Sequence, residues 1–451
     1  MTEKPDCREL ALGILTEVTR QEEYSHIAVR NVLEKYQYLG KQERAFLTCL
    51  TEGTLEWMIH LDYMINQFSS VRVNKMKPVI RNILRMSVYQ LKFMDSVPAC
   101  AVCNEAVKLA EKKGFRNLKG FVNGVLRNIA RNLSCVSYPD KSDLCKYLSV
   151  MYSMPEWIVE GWLTRYGAEV TERILKGFLE KEPLSIRPNL EKISPEELKK
   201  RLESRGITVS KAAWPDYALR IENYNYLGAV PEFLEGLFQV QDVSSMLVAE
   251  AAGPKEGALC IDVCAAPGGK SFHLAEKLHG TGRVEARDLT GYKTAMIKEN
   301  NERMGAGNLF IRQWDACVLH EESAGTADLV LADLPCSGLG VLGKKTDLKY
   351  RMTREQQEEL ASLQKKILGV SQAYVKPGGI LIYSTCTINP GENEENAVWF
   401  QEHFPFETVP LDDCLPGGLI SETENKGMIQ LLPGIHGCDG FFIAKFRKRA
   451  V

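Results

Sequence analysis

Residues 259–278 read LCIDVCAAPGGKSFHLAEKL: an apolar run short enough for a strand, a turn with two glycines, then a helical pattern of apolar positions. A strand that turns through Cys264, Ala265, Ala266, Pro267, Gly268, Gly269 and Lys270 into a helix lets backbone approach a ligand at the helix N-terminus. The turn does not by itself name the ligand. A phosphate-binding P-loop requires G-x-x-x-x-G-K-[ST], and Cys264 stands where its first glycine belongs. G-x-G-x-x-G is absent as well, which argues against a dinucleotide.

Outward from this turn, short apolar runs alternate with amphipathic helical stretches. After LCIDVCA come GRVEARD, NLFIRQW, ADLVLAD, GGILIYST and GFFIAKF. That alternation predicts a Rossmann-like α/β domain over 236–451, a mostly parallel sheet with ligand crevices at the strand C-terminal ends. Acids sit at those ends. Asp288 closes the second strand where a carboxylate accepts from ribose hydroxyls, Asp315 closes the third and Asp333 the fourth. Each alone reads as a loop or cap residue; three in register favour a nucleoside-type cofactor carrying a positive charge, and S-adenosyl-L-methionine fits better than a nucleotide.

Two thiols stand at the same edge, Cys336 in DLPCSG and Cys386 in STCTINPGE. Neighbouring strands lie about 5 Å apart, so both can face one crevice. Free cysteine is commonly a packing residue, but each of these is followed by Gly or Pro that opens the backbone. A pair so placed suits methylation of an unactivated pyrimidine carbon. Cytosine C5 attacks a methyl sulfonium only after a thiolate has added to C6. A free thiol is only a few per cent ionised near neutrality, so a positive group or helix N-terminus is expected beside the nucleophile. Asp333 is placed to hold the ring edge.

The rest of the chain reads differently. Residues 1–140 carry 3.6-period apolar runs such as Ile83, Leu84, Met86, Val88, Leu91 and Phe121, Val122, Val125, Leu126, Ile129, predicting an all-helical domain broken at Val97-Pro98. Residues 46–68 read as a buried helix, since Glu52, Glu56, His60 and Asp62 interrupt them as a membrane span. A proline-punctuated stretch, 150–235, predicts a small α/β module, with extended LSIRPN and ALRIEN around a helix opening at Ser194-Pro195-Glu196-Glu197.

Totals narrow the function further. The 451 residues are 45% hydrophobic and 25% charged, a soluble composition. Thirteen scattered cysteines suit reduced thiols in a cytoplasm. Cys100 and Cys103 have no second pair to complete a zinc site, and no metal is expected. The net charge is −2, yet residues 72–131 hold 13 basic residues against three acids. That excess points to an anionic partner, most simply nucleic acid. The run KKTDLKYR, 344–351, reads either as a phosphate contact through Lys344 and Lys349 or as a solvated loop.

DVCAAPGGK, VLADLPCSGLGVL, IYSTCTINPGENEENAV and LLPGIHGCDGFFIAKFRK, with the lead-in FQVQDVSSMLVAEAAGPKEG, resemble the RNA 5-methylcytosine methyltransferase family over about 240–448. The resemblance implies that Cys386 is the nucleophile and that Cys336 assists product release. It also implies cofactor contacts at Cys264 through Lys270 and at Asp288, Asp315 and Asp333. The chain departs from the pattern at Leu334, where the family commonly has Ala, and at Gly343-Lys344-Lys345, where it is Arg-rich.

Residues 81–129 resemble a NusB-type helical RNA-binding domain. A NusB-like part, an RNA-recognition-like (RRM-like) module and this catalytic part together are similar to bacterial 16S rRNA (cytosine-C5)-methyltransferases. That implies 16S rRNA as partner and a monomer free of membrane and metal. A methyltransferase of tRNA or DNA, and a non-enzymatic RNA-binding or antitermination protein, remain the alternatives.

Overall fold

A computed structural model of the chain describes residues 6–20, 22–412, 414–416, 419 and 427–450. The chain divides into two compact units: 1–179 with 342–351, and 180–341 with 352–451.

The first unit is helical. It runs α1 (Cys7–Thr19), α2 (Ser25–Lys35), α3 (Lys41–Glu56), α4 (Met58–Phe68), α5 (Pro78–Phe93), α6 (Ala99–Lys112), α7 (Lys119–Arg131), α8 (Leu144–Met151) and α9 (Glu156–Leu179). Pro78 opens α5 and Pro98 caps α6, where a missing N–H costs nothing. The apolar periods bury as expected: Ile83, Leu84, Met86 and Val88 from α5 join Val122, Val125, Leu126 and Ile129 from α7 in one core. Residues 46–68 are not one helix. Trp57, at φ −95° and ψ 13°, breaks them into α3 and α4. Its ring packs 4.6 Å from Phe93 and 5.3 Å from His60, so tertiary packing sets the break without a proline or glycine.

The second unit holds two sheets. β1 (Leu184–Pro188), α10 (Pro195–Ser204), β2 (Thr208–Lys211), β3 (Leu219–Glu222), α11 (Pro231–Leu234) and β4 (Phe238–Val240) form an antiparallel sheet in the order β2-β3-β1-β4. Ser194 caps α10 by accepting from Glu197 N at 3.2 Å, as its sequence predicts. The fourth strand lies three residues past 235, where the sequence reading ends this module.

The larger sheet follows through α12 (Val243–Ala252), β5 (Leu259–Asp262), α13 (Gly269–Lys277), β6 (Arg283–Asp288), α14 (Gly291–Met304), β7 (Leu309–Gln313) and β8 (Ala327–Asp333). After β8 come α15 (Leu348–Arg351), which belongs to the first unit, then α16 (Arg354–Tyr374), β9 (Val375–Thr385), α17 (Glu394–His403), β10 (Phe406–Thr408), β11 (Met428–Leu431) and β12 (Phe441–Lys448). The order is β10-β12-β9-β8-β5-β6-β7, with β11 on β12. Strands β5 to β9 pair in parallel and β12 runs antiparallel to β9. The Rossmann-like expectation is borne out, with two additions at one edge, β10 and β11. Winding reverses between β5 and β8, the switch point where such sheets open a crevice.

Segment 342–351 corrects the solvated-loop reading of KKTDLKYR and the phosphate contact through Lys349, because Lys349 is enclosed by the helical unit. Asp347 accepts from Ser25 N at 3.2 Å, and Lys349, buried, donates to Glu56 O at 2.8 Å and Ser153 O at 2.6 Å. Tyr350 donates to Leu55 O at 2.9 Å, and Arg351 to Glu23 O. Burial pulls the Lys349 ammonium down to about 7. Only Lys344 and Lys345 of this run are exposed. No helix among the described residues is long and apolar enough to cross a membrane.

Candidate active site

The switch point brings together the loop after β5, the loop after β8 and the end of β9. In the first, Gly268 adopts φ +106°, and a Cβ there would stand 2.5 Å from the Phe272 ring, so the turn into α13 requires glycine. Ala265 N donates to Arg287 O at 2.8 Å and Gly268 N to Ala265 O at 2.7 Å. Asp288, buried at the end of β6, accepts from Ala266 N at 2.9 Å and pairs with Lys293 at 3.1 Å. Asp315 lies two residues past β7, exposed, accepting from Cys317 N at 2.8 Å. Thus Asp288 and Asp333 end strands as the sequence reading requires, and Asp315 sits in the following turn.

Burial and the carboxylates of Asp262, Asp288 and Asp333 push the Cys264 thiol well above its ordinary range. Three acids therefore converge on one loop. A closely approachable glycine turn at a helix N-terminus, ringed by carboxylates, fits a cofactor with ribose hydroxyls and a sulfonium.

Lys270 leaves this loop toward the thiols. Its ammonium lies 2.8 Å from Asp333 Oδ2 and 5.2 Å from the centre of the Phe441 ring. Burial opposes its charge, but Asp333 and Cys386 outweigh that and hold its pKa above the lysine range. The positive group expected beside the nucleophile is thus a residue the sequence assigns only to the cofactor loop.

Asp333 and Ser384 are register partners of β8 and β9, and Ser384 Oγ donates to Asp333 Oδ1 at 2.8 Å. Leu334 N donates to Ser384 O at 3.0 Å and Gly340 N to Cys386 O at 3.0 Å, holding the two loops in step. A Cβ at Gly340 would stand 2.0 Å from Gly440 O, so that approach requires glycine. Within this frame Cys336 Sγ and Cys386 Sγ are 3.2 Å apart, both half-buried. The bond to Cys386, with burial, drives Cys336 far above the thiol range. At this distance either thiol can donate to the other's sulfur.

A fully buried carboxylate, Glu392, locks both loops. It accepts from Ser337 N at 2.8 Å, Ser337 Oγ at 2.6 Å, Asn389 Nδ2 at 3.0 Å and Gln364 Nε2 at 3.2 Å. Gln364 Nε2 also donates to Pro335 O at 2.9 Å. Sequence reasoning gave Glu392 no role, although an acid inside PGENEEN directly after a reactive thiol was the available signal. Asp262, also missed, accepts from Ser271 Oγ at 2.6 Å, and burial lifts it to about 7.

Family models match three segments: the 16S rRNA methyltransferase RsmB/F model over 249–447, the NusB family over 5–131, and the ferredoxin-like domain of RsmF/B-like methyltransferases over 154–226. The chain is similar to the probable ribosomal RNA small subunit methyltransferase B of Bacillus subtilis (strain 168), at 36% identity over 99% of both chains. It is similar to the protein of that name in Synechocystis at 34%, over 98% of this chain and 99% of the other. Among solved structures, PH0851 matches at TM-score 0.82 and 27% identity over 99% of both chains. A methyltransferase homolog from Pyrococcus horikoshii matches at TM-score 0.59 and 30% identity, over 68% of this chain and 99% of that one.

Proposed function

The chain belongs to the RsmB/F family of 16S rRNA methyltransferases, and from that premise we propose that it methylates C5 of a cytosine in 16S rRNA, cytosine 967, through a covalent bond between Cys386 and ring carbon C6. Bound at residues 264–270, S-adenosyl-L-methionine supplies an electrophilic methyl group. Asp288 and Asp315 offer acceptors for its ribose hydroxyls, and the turn at Gly268 and Gly269 offers backbone N–H groups. The proposed division of labour gives 1–140 to RNA binding, 150–235 to the RNA-recognition-like module and 236–451 to catalysis.

The observation that carries this reading is the pairing of Cys386 with both a cation and a thiol. Lys270 favours the thiolate electrostatically, and the Cys336 S–H stabilises it by hydrogen bonding. The thiolate adds to C6, and the ring becomes nucleophilic at C5. Asp333 accepts from the exocyclic amine or from a protonated N3. After the methyl group is in place, water entering the open crevice takes the C5 proton, the C5–C6 double bond re-forms, and the Cys386–C6 bond breaks with its electron pair returning to sulfur. Cys336 then stabilises the departing thiolate as it did before attack. The target base reaches this crevice only when unpaired or turned out of its stack.

The test combines bisulfite mapping of 16S rRNA methylated by the purified chain with a 5-fluorocytosine RNA that traps the attacking thiol. Methylation at cytosine 967 with a trapped Cys386 peptide is the expected result. Trapping at Cys336, or no methylated cytosine in the rRNA, would refute the proposal.

A further inference from the structure

Outside the catalytic crevice, the first unit carries a groove of about 740 Å³ between α6 and α7. Helix α7 turns Val122, Val125, Leu126 and Ile129 into the core. Its other face presents Lys119, Gly120, Gly124 and Arg127 to solvent, with Asn123 half-buried beside them; Gly124 lies at the groove's margin and the other four line it. From α6, Asn104 and Lys108 line the opposite wall.

The glycines are the informative residues. Glycine is a poorer helix former than any residue but proline, so two of them one turn apart need a reason. Packing does not supply one, because a Cβ at Gly120 or Gly124 meets no heavy atom within 4 Å. At Gly53 in α3, by contrast, a Cβ would stand 2.1 Å from the Tyr89 ring. The bare surface at Gly120 and Gly124 thus serves no contact within the fold and leaves room for close approach from outside.

We infer that this groove seats an RNA sugar–phosphate backbone, which approaches α7 over Gly120 and Gly124 and is neutralised by Lys119 and Arg127. The inference rests on the RNA substrate proposed above. Charge selects the occupant: Glu105 in the groove is taken by Lys108 at 2.7 Å, whereas Lys119 and Arg127 have no ion pair among the described residues. No aromatic side chain lines the groove, so it offers bases nothing to stack on. Amides and cations without rings suit phosphate and ribose, contacts that position RNA and read no sequence.

The experiment measures the affinity of the full chain for transcribed 16S rRNA at several salt concentrations, together with thermal unfolding. The Gly120→Ala/Gly124→Ala chain is expected to lose about tenfold in RNA affinity, while its unfolding midpoint rises by about 2–4 °C. Lys119→Glu/Arg127→Glu is expected to weaken binding further and make the logarithmic salt slope shallower by about 2. Unchanged affinity in both variants overturns the inference. So does lost affinity with a lowered midpoint in the alanine variant, since the glycines would then serve the fold. A wild-type chain that methylates rRNA beside variants that bind it equally well sinks the groove alone. A wild-type chain that binds no rRNA sinks the groove and the proposed function together.

Discussion

The sulfurs of Cys336 and Cys386 lie 3.2 Å apart, one just beyond β8 and the other at the first residue past β9. Parallel pairing of the two strands, Asp333 opposite Ser384, sets that distance before any ligand arrives. The contact with Cys386, together with burial, raises the Cys336 thiol far above its ordinary range.

With Cys386 as the proposed nucleophile and Cys336 as its partner in release, Cys386→Ala is expected to abolish methyl transfer and adduct formation. Cys336→Ala should still attack but release slowly, so that a covalent RNA–protein species accumulates on denaturing gels. Full turnover in the Cys386 variant would contradict the assignment.

The charge of Cys386 acts on the Lys270 ammonium and helps hold it protonated. Lys270→Met should move the alkaline-rising limb of the rate–pH profile upward, because the thiolate loses its favourable field; a limb displaced by one pH unit corresponds to about 1.4 kcal/mol of lost stabilisation. A profile that keeps its position while the rate falls uniformly would mean that Lys270 acts only on Asp333.

Removing the buried carboxylate in Glu392→Ala strands Ser337 N–H and the Asn389 amide, while Gln364 keeps Pro335 O and the Ser337 hydroxyl keeps Thr387. Each stranded buried donor costs about 1–3 kcal/mol, so the unfolding midpoint should drop and adduct formation should slow. Glu392→Gln keeps one acceptor oxygen and should fall between wild type and alanine. A midpoint equal to wild type in the alanine variant would remove the locking role.

Burial raises Asp262 to about 7, against about 3.9 for an unfolded aspartate. Between those values the folded chain binds the extra proton. The stability this supplies is complete below about pH 4 and is lost as pH rises through about 7. Calorimetry from pH 5 to 8 should therefore show a decline in midpoint that Asp262→Asn lessens. Equal declines in both proteins would be evidence against a protonated Asp262.

Much of this was legible in the sequence, because period and punctuation are local signals. The β5 turn into α13, the cap at Ser194 and the acids at strand ends are written within a few residues of where they act. What was not legible depends on distant partners. Glu392 draws its donors from Ser337 and Gln364, 55 and 28 residues away. Lys349 reads as part of a solvated charge run until the carbonyls of Glu56 and Ser153 enclose it. Trp57 ends a helix through ring packing, with no local breaker, and three-residue β10 is too short to carry a period.

The loan of residues 342–351 to the helical unit has a consequence for modularity. Covalently those ten residues lie between the two thiol-bearing loops, yet their hydrogen bonds belong to α2, α3 and the turn at Ser153. Cutting the gene before Glu180 would leave Asp347, Lys349 and Tyr350 with nothing to hold. The catalytic half is therefore not a detachable cassette, and any exchange of the helical unit must carry this strap and its sockets together.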